Sequence, residues 1–282
     1  MAMNTNPDIG IVCGGGGMTC AYSAGALEAI LKHHGFATPK VLIGASGGSG
    51  NCAYYAAGQS DVGRHIWTDL LTDGQMISWR RWPVLDLDYL VNKVFRKQVP
   101  LNVGKIKTNK HTHFFIPASN TKTGCLRYFS NHDRDIDVFN VLIAAKTIPL
   151  VAGKFHCVQD NCKYSFADGD LAGQLHHHTR LAEDYGCEKI IVIDNQSSYG
   201  PGMFLAIHGY FLFAGKALKR ALRRGFHDDH ATITDTEHII TLRPSQPLKM
   251  GALTDKRAKI ERAYDMGYQD AVNHPRLKEL FT

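Results

Sequence analysis

The sequence predicts an α/β fold in which crossover helices cover a mainly parallel sheet. Apolar runs of strand length, Asp8–Cys13 and Val41–Gly44, alternate with helical patterns in the first part of the chain, and such alternation is typical of parallel βαβ units. With 282 residues, 44% of them hydrophobic and 21% charged, the chain is large and apolar enough to bury a substantial core, which argues against disorder and a coiled coil.

The remaining elements continue this alternation, with strands as short apolar runs and helices that stop before proline or glycine. Residues 60–105 lack a clean period, so we expect a helical or loop insertion within a single domain spanning residues 1–282. In chain order we predict strand Asp8–Cys13, helix Ala21–His33, strand Val41–Gly44, helix Asn51–Gly58, strands His113–Pro117 and Leu126–Phe129, helix Asp137–Lys146, strand Tyr164–Ala167, a helix ending at Tyr185, strand Ile190–Ile193, helix Met203–Arg224, strand His238–Leu242 and helix Asp255–Val272.

The charge and cysteine patterns limit the partners and the compartment. A formal net charge of +6 is too mild to indicate nucleic-acid binding. The seven cysteines are scattered without a C-x-x-C pair, and the first residues do not resemble a secretory signal. We therefore expect a cytoplasmic protein. Its longest apolar stretch, Met203–Ala217, is too short to span a membrane.

The 27 glycines are concentrated near the N-terminus, beginning with Gly14–Gly17 directly after the first strand. No lysine followed by serine or threonine stands at the spacing of a phosphate-binding P-loop. A dinucleotide fingerprint fails because Thr19 or Cys20 occupies its last glycine position. What remains is a loop whose backbone N–H groups, placed before a helix, can converge on an anion.

Gly44-Ala45-Ser46-Gly47-Gly48 fits the pattern G-x-S-x-G between a strand and a helix. In that context the glycines relieve crowding in a sharp turn, and Ser46 is presented at its tip as a nucleophile. A serine hydroxyl needs a base, for which two arrangements stay open. Asp168, in Asp168-Gly169 at the end of a strand, can act directly, or Asp194 can orient a histidine such as His208 or His230.

Together, the glycine run, the serine elbow and the downstream Asp-Gly resemble the patatin-like phospholipases, lipid acyl hydrolases that use a Ser-Asp dyad. The resemblance extends to the segments 85–90, 144–149, 186–193 and 240–248, which look like a bacterial subgroup of that family. It implies a three-layer sandwich with Ser46 as nucleophile and Asp168 as base. It further implies an oxyanion hole from the amides of Gly15, Gly16 and Gly17, to which Gly47 can add a donor, with Gly44, Gly47 and Gly48 forming the elbow. No cofactor or metal is implied, and the expected partner is an acyl lipid or phospholipid.

The sequence departs from the family pattern at two places. The family writes its loop G-G-G-x-[RK]-G, whereas Thr19 and Cys20 replace the basic residue and the last glycine. His176, His177 and His178 stand where an N-x-P-like turn is usual; neighbouring helical residues point in different directions, so we expect packed or solvated histidines rather than a metal site. These departures leave open a catalytically weak or inactive lipid-binding relative.

Two segments are candidates for peripheral contact with a membrane surface. Met203–Arg224 combines an apolar half with a basic C-terminal half, which fits either an amphipathic surface helix or a core helix with a solvated end. Trp79-Arg80-Arg81-Trp82 pairs aromatic and basic side chains, although such a pair in an insertion more often simply packs.

Overall fold

The computed structural model describes residues 8–148, 151–158, 164–195, 215–217, 219–220 and 233–282. Within these residues eight strands form one sheet. The strands are β1 (Ile9–Cys13), β2 (Val41–Gly44), β3 (His113–Asn120), β4 (Leu126–Ser130), β5 (His156–Cys157), β6 (Ser165–Asp168), β7 (Lys189–Ile193) and β8 (Ile239–Leu242).

The sheet is mixed. Its order is β5-β6-β3-β2-β1-β7-β8, with β4 beside β3. The five strands from β3 to β8 in that order run parallel, whereas β4 and β6 are antiparallel to β3. The predicted α/β fold is confirmed, and the antiparallel edge is an addition that the apolar runs alone did not predict.

Helices of three kinds surround the sheet. The α-helices are α1 (Ala21–Lys32), α2 (Gly47–Ala56), α3 (Gly63–His65), α4 (Val103–Thr108), α5 (Val138–Ala144), α6 (Leu175–Asp184), α7 (Arg257–Asn273) and α8 (Pro275–Phe281). Short 3₁₀ turns occupy Gly17–Cys20, Ser60–Val62 and Gly169–Leu171, and π-helices occupy Ile66–Leu70 and Tyr89–Gln98.

The central strands are buried on both faces. Along β2, Leu42 points into a core formed with α1, α2 and α7, whereas Val41 and Ile43 point into a second core with Ala182 of α6. Because successive side chains of a strand point to opposite faces, a continuous apolar run is what a doubly covered strand requires. The helices and the sheet therefore form three layers.

Two predicted helices differ in how they compare with the structure. The second helix begins at Gly47, four residues before the predicted start at Asn51, because Ser46 is its N-cap and the glycines after it form the first turn. The predicted helix Met203–Arg224 falls almost entirely outside the described residues.

Candidate active site

The register of the sheet brings Ser46 and Asp168 to one level. In β2 and β3, Ile43 pairs with Phe115. Ser46 lies three residues beyond Ile43. Ala118 lies three residues beyond Phe115, and it pairs with Asp168 of the antiparallel β6. Both side chains therefore emerge at the same height, although their strands run in opposite directions.

The backbone at Ser46 adopts a conformation that residues other than glycine rarely occupy. Its φ is 45° and its ψ is −122°, and such non-glycine outliers cluster at functional sites. The turn joins β2 directly to α2, the geometry of a nucleophile elbow. Ser46 is 5% exposed, so little solvent reaches its hydroxyl.

The hydroxyl of Ser46 donates a hydrogen bond of 2.6 Å to Oδ2 of Asp168. The other carboxylate oxygen accepts from the backbone N–H of Asp170 at 3.0 Å, and the Asp168 N–H donates to the carbonyl of Thr147 at 2.9 Å. Asp168 is 3% exposed. Burial raises its pKa to about 6, against the opposing effects of the Ser46 hydroxyl, the Asp170 amide and the charge of Lys146. A carboxylate with that pKa is ionised at neutral pH and accepts a proton more readily than an exposed aspartate.

Lys146 is a site residue that sequence analysis missed. It follows α5, and its buried ammonium group donates to the backbone carbonyl of Ser46 at 2.9 Å and to the hydroxyl of Ser49. Burial lowers its pKa to about 8, an effect that the charge of Asp168 opposes. Lys146 is therefore positively charged at neutral pH, and its two hydrogen bonds hold the backbone of the elbow in place. The segment 144–149 was part of the family resemblance, but nothing in it assigned a role to Lys146.

Backbone hydrogen bonds anchor the glycine loop at both of its ends. The N–H of Gly14 donates to the carbonyl of Ile193 at 3.0 Å, and the N–H of Met18 donates to that of Ala252 at 2.9 Å. Between these two anchors, hydrogen bonds among the described residues leave the amides of Gly15, Gly16 and Gly17 unused. The loop thus contains three consecutive backbone N–H groups that have no acceptor among the described residues.

Asn195, just beyond β7, shapes this loop and was also missed. Its side-chain amide donates to the carbonyls of Gly14 at 2.7 Å and Gly15 at 3.1 Å, and its oxygen accepts from the N–H of Ser23 at 3.1 Å. Because Asn195 is 1% exposed, these bonds replace water entirely. They fix the orientation of the carbonyls of Gly14 and Gly15.

Thr19 and Cys20, the two departures from the family pattern, both bond to the glycine loop itself. The Thr19 hydroxyl donates to the carbonyl of Gly16 at 3.0 Å, and the Cys20 thiol lies 3.7 Å from the carbonyl of Gly14. Both residues are fully buried. In place of a basic residue and a glycine, the chain therefore uses two small side chains that brace the loop.

The loop and the elbow touch each other so closely that no side chain fits between them. A Cβ on Gly47 would lie 2.7 Å from Sγ of Cys20 and 2.8 Å from the carbonyl oxygen of Gly17, and one on Gly48 would lie 2.7 Å from that of Gly14. Such distances are far below ordinary packing contacts. The glycines therefore keep the loop donors beside Ser46.

A second carboxylate, Asp170, lies against the loop. A Cβ on Gly15 would lie 1.8 Å from Oδ2 of Asp170 and 2.8 Å from Cβ of Ser46. Burial, and after it the charge of Asp170, raises the pKa of the Cys20 thiol. A negative charge at this place competes with any anion that the loop binds.

An apolar cleft opens from Ser46 toward the inserted segment. Its floor contains Ser46, Gly47 and Lys146, and its opposite wall comes from residues 60–105. The apolar lining residues are Ala24, Leu27, Tyr54, Ile66, Trp67, Leu71, Met76, Leu85, Leu87, Leu90, Phe95 and Ile148. A cleft with apolar walls and polar groups at one end fits a ligand that is apolar with one reactive polar group.

The three adjacent histidines point in different directions. His178 is fully buried, and its Nδ1 lies 2.8 Å from the hydroxyl of Tyr128, whereas His177 is exposed. Burial, with the charges of His177 and His176, lowers the pKa of His178 to about 3. No group of three or more potential metal ligands occurs in the part of the chain that the structure describes.

The alternative triad places Asp194 at the end of β7. Its Oδ2 accepts from Nε of Arg243 at 3.0 Å. Both candidate histidines, His208 and His230, lie outside the described residues. The structure thus brings Ser46 together with Asp168. Among the described residues, Asp194 pairs with an arginine, Arg243, and not with a histidine.

The fold and the site define a class of protein: an α/β protein with a strained serine elbow, a buried carboxylate and a glycine loop beside an apolar cleft. A sequence profile described as patatin-like phospholipase matches residues 11–173, more than half of the chain. The chain belongs to the patatin-like phospholipase family. Membership supports lipid hydrolysis as its class of activity. No curated protein matches the sequence.

Two solved structures resemble the fold over 98% of the chain. VipD from Legionella pneumophila matches with a TM-score of 0.50 at 12% identity, and the type III effector protein ExoU matches with 0.43 at 11% identity. The chain spans 67% of the VipD structure and 54% of the ExoU structure. Across the described residues, no helix is both long and apolar enough to cross a bilayer.

Proposed function

We propose that the protein is a serine-dependent lipid acyl hydrolase, of the phospholipase A or carboxylesterase type, that works through a Ser46–Asp168 dyad. The 2.6 Å hydrogen bond from the Ser46 hydroxyl to the buried Asp168 carboxylate carries this proposal. It joins a nucleophile to a base of suitable pKa at the polar end of an apolar cleft.

In the first half-reaction, Oγ of Ser46 attacks the ester carbonyl carbon and its proton passes to Oδ2 of Asp168. The carbonyl oxygen becomes an oxyanion, which the amides of Gly15, Gly16 and Gly17 receive, with Gly47 as a further donor at the start of α2. When this intermediate collapses, the ester C–O bond breaks and the leaving alcohol takes the proton from Asp168. An acyl group remains on Ser46.

In the second half-reaction, water replaces the alcohol and gives a proton to Asp168 as its oxygen attacks the acyl carbon. The same loop receives the second oxyanion. Its collapse breaks the bond to Oγ of Ser46, which takes the proton back from Asp168, and a fatty acid leaves. Between these steps the backbone N–H of Asp170 and the charge of Lys146 both favour the ionised form of Asp168.

Residues 60–105 belong to the same catalytic unit in this proposal. They supply one wall of the cleft, including Ile66, Leu87 and Phe95, so the acyl chain lies between the insertion and α2. We infer a single domain on this ground. An acyl lipid or phospholipid is the substrate class that the apolar lining supports.

A catalytically weak or inactive lipid-binding relative is the second candidate, and Asp170 is the observation that favours it. Its carboxylate abuts Gly15 at the loop that must receive the oxyanion, and it disfavours negative charge there. The bracing of the loop by Thr19 and Cys20 supports activity instead, because the donors stay in place without the usual residues.

The first experiment is labelling by a fluorophosphonate probe, with p-nitrophenyl esters as substrates. Ser46→Ala should abolish labelling and lower hydrolysis by about 10³-fold or more. An unlabelled wild-type protein without turnover would favour the inactive relative.

The same assay separates the two candidate carboxylates. Asp168→Asn should lower the rate by about 10³-fold, whereas the matched variant Asp194→Asn should retain most of it. The reverse order would favour the Ser-Asp-His arrangement.

A further inference from the structure

The segment between Met76 and Leu87 forms a narrow loop with two exposed tryptophans at its tip. A bridge between Ile77 and Leu85 closes its base, and the N–H of Ser78 donates to the carbonyl of Val84 at 2.9 Å. Trp79 is 65% exposed and Trp82 is 67% exposed. Large aromatic side chains seldom stand this far in water without a partner.

The other side of the same loop lines the cleft. Met76, Leu85 and Leu87 are each less than a tenth exposed and form part of the apolar wall that leads to Ser46. The tryptophans therefore stand outside the cleft, at the outer end of the segment whose inner side the substrate would contact.

The side chain of Arg81 holds the backbone of the tip in place. The guanidinium of Arg81 donates to the carbonyls of Gly74 at 3.2 Å and Gln75 at 2.8 Å, and it lies 3.8 Å from the carboxylate of Asp86. It also donates to the carbonyl of Met76 at 2.5 Å, so four contacts from one side chain tie the tip to the base of the loop. These contacts fix the backbone between Trp79 and Trp82 relative to the base of the loop.

Basic side chains lie at the tip and in the segment next to it. Arg80 is exposed, and its side chain makes no ion pair with the residues that the structure describes. A Cβ on Gly153 would lie 3.6 Å from Pro83, so the exposed Lys154 follows directly after a residue that packs against the tip. We call Trp79, Arg80, Trp82 and Lys154 the tip patch.

We propose that the tip patch docks the protein on the surface of a bilayer that contains anionic lipid, an inference that rests on the proposed function. Tryptophan favours the boundary between acyl chains and headgroups, and arginine and lysine are attracted to anionic headgroups. Docked in this way, the cleft lies next to the lipid, and an acyl chain passes along Met76 and Leu87 to Ser46 without crossing water.

The mixed chemistry of the patch favours a bilayer over a protein partner. Its apolar part consists of separate rings on one narrow tip, too small for a stable protein interface, which buries about 800 Å² on each side. Its cations complement an anionic surface, and it is continuous with an apolar cleft of the same fold. A lipid surface satisfies all three properties at once.

Vesicle sedimentation tests the proposal with Ser46→Ala protein, so that no lipid is consumed. Binding to phosphatidylcholine vesicles containing phosphatidylglycerol should exceed binding to phosphatidylcholine alone and should weaken as salt is added. Adding Trp79→Ala and Trp82→Ala together should lower the affinity by about tenfold or more. Tyr185→Ala is the matched control, an exposed ring that lies against His113 and Phe115 of β3, and should bind like its parent.

Tryptophan fluorescence provides a second, independent measurement. The chain has three tryptophans, and Trp67 is only 6% exposed. Trp67 lines the cleft that an acyl chain would enter, so the measurement uses Trp67→Phe protein, whose emission comes from Trp79 and Trp82 alone. Brominated lipids should quench this emission, and emission unchanged by these lipids would contradict docking through the tip.

The proposal is wrong if the parent does not bind the vesicles or if the double variant binds them as strongly as the parent does. It is also wrong if the double substitution changes the mass of the protein in solution but leaves vesicle binding unchanged, because the tryptophans would then form a self-association surface. Hydrolysis of a soluble short-chain ester by otherwise wild-type protein should be the same with and without the tryptophan substitutions. If no protein hydrolyses esters but the tryptophans still govern vesicle binding, the docking inference stands and the proposed function fails.

Discussion

The two walls of the cleft are held in place by different kinds of contact. On one side, the glycine loop and the elbow meet through backbone atoms, with no room for a Cβ at Gly47 or Gly48. On the other side, the insertion meets the cleft through apolar side chains such as Leu87 and Leu90. The first wall is fixed by turns and hydrogen bonds, and the second by side-chain packing.

This difference separates chemistry from specificity. A wall of backbone contacts cannot change its residues without moving the donors beside Ser46. A wall of packed side chains tolerates hydrophobic exchange, since cores accept substitutions that conserve volume. We therefore expect substitutions on the glycine side to change the rate, and substitutions on the insertion side to change which acyl chain is accepted.

The largest effect should come from the glycine wall. Gly47→Ala places a Cβ 2.7 Å from Sγ of Cys20 and 2.8 Å from the carbonyl of Gly17, which must push the loop and the elbow apart. A displacement of this size costs about 100-fold in kcat/KM for an ester. Gly104→Ala in α4 is the matched control, because its Cβ would meet only Asn102, at 3.4 Å. Equal loss in both variants would contradict the distinction between the walls.

Lys146 should produce an intermediate effect that is visible as a pH shift. Asp168 is the base, so the rate should rise as pH increases through its pKa of about 6. Lys146→Met removes a charge that lowers this pKa, so the rising limb should move to higher pH, with about a tenfold lower rate at neutral pH.

Ser49→Ala is the control for this shift. It removes one hydrogen-bond acceptor of Lys146 and keeps the charge, so the limb should stay near its original position. An unmoved limb in Lys146→Met would show that the lysine acts by packing alone.

The smallest effect should come from the insertion wall. Leu87→Ala enlarges the cleft, so the ratio of kcat/KM for longer over shorter esters should increase by up to about tenfold. Leu277→Ala in α8 truncates a leucine outside the cleft lining, and it is equally buried. Both variants should lose about 2–5 kcal/mol of unfolding free energy, but only Leu87→Ala should change the ratio. If this ratio changed in both variants, the preference for acyl-chain length would depend on the overall stability of the protein and not on the shape of the cleft.

The first wall was largely predictable from the sequence. Gly14–Gly17 and the Ser46 pentapeptide are local patterns, each placed directly after a strand whose apolar run is unmistakable. The expectation that Asp168 lies close to the serine depended on family resemblance. Its position follows from the pairing of β6 with β3, which residues far apart in the sequence decide.

The second wall and the supports of the site were not predictable in this way. Lys146 and Asn195 act through tertiary contacts with the elbow and the loop, and neither stands in a pattern of its own. The insertion contains π-helices at Ile66–Leu70 and Tyr89–Gln98, whose wider turn blurs the 3.6-residue period on which helix prediction relies. The oxyanion role of the glycines stays a prediction until the variants are measured.

The backbone of Ser46 has a consequence for the evolution of the family fold. A non-glycine residue at φ 45° is held there at a cost of about 1–3 kcal/mol, and glycine would adopt the same turn without that cost. Drift toward greater stability therefore favours the loss of the hydroxyl at this position. A serine that persists there marks a lineage in which selection on catalysis outweighs selection on stability.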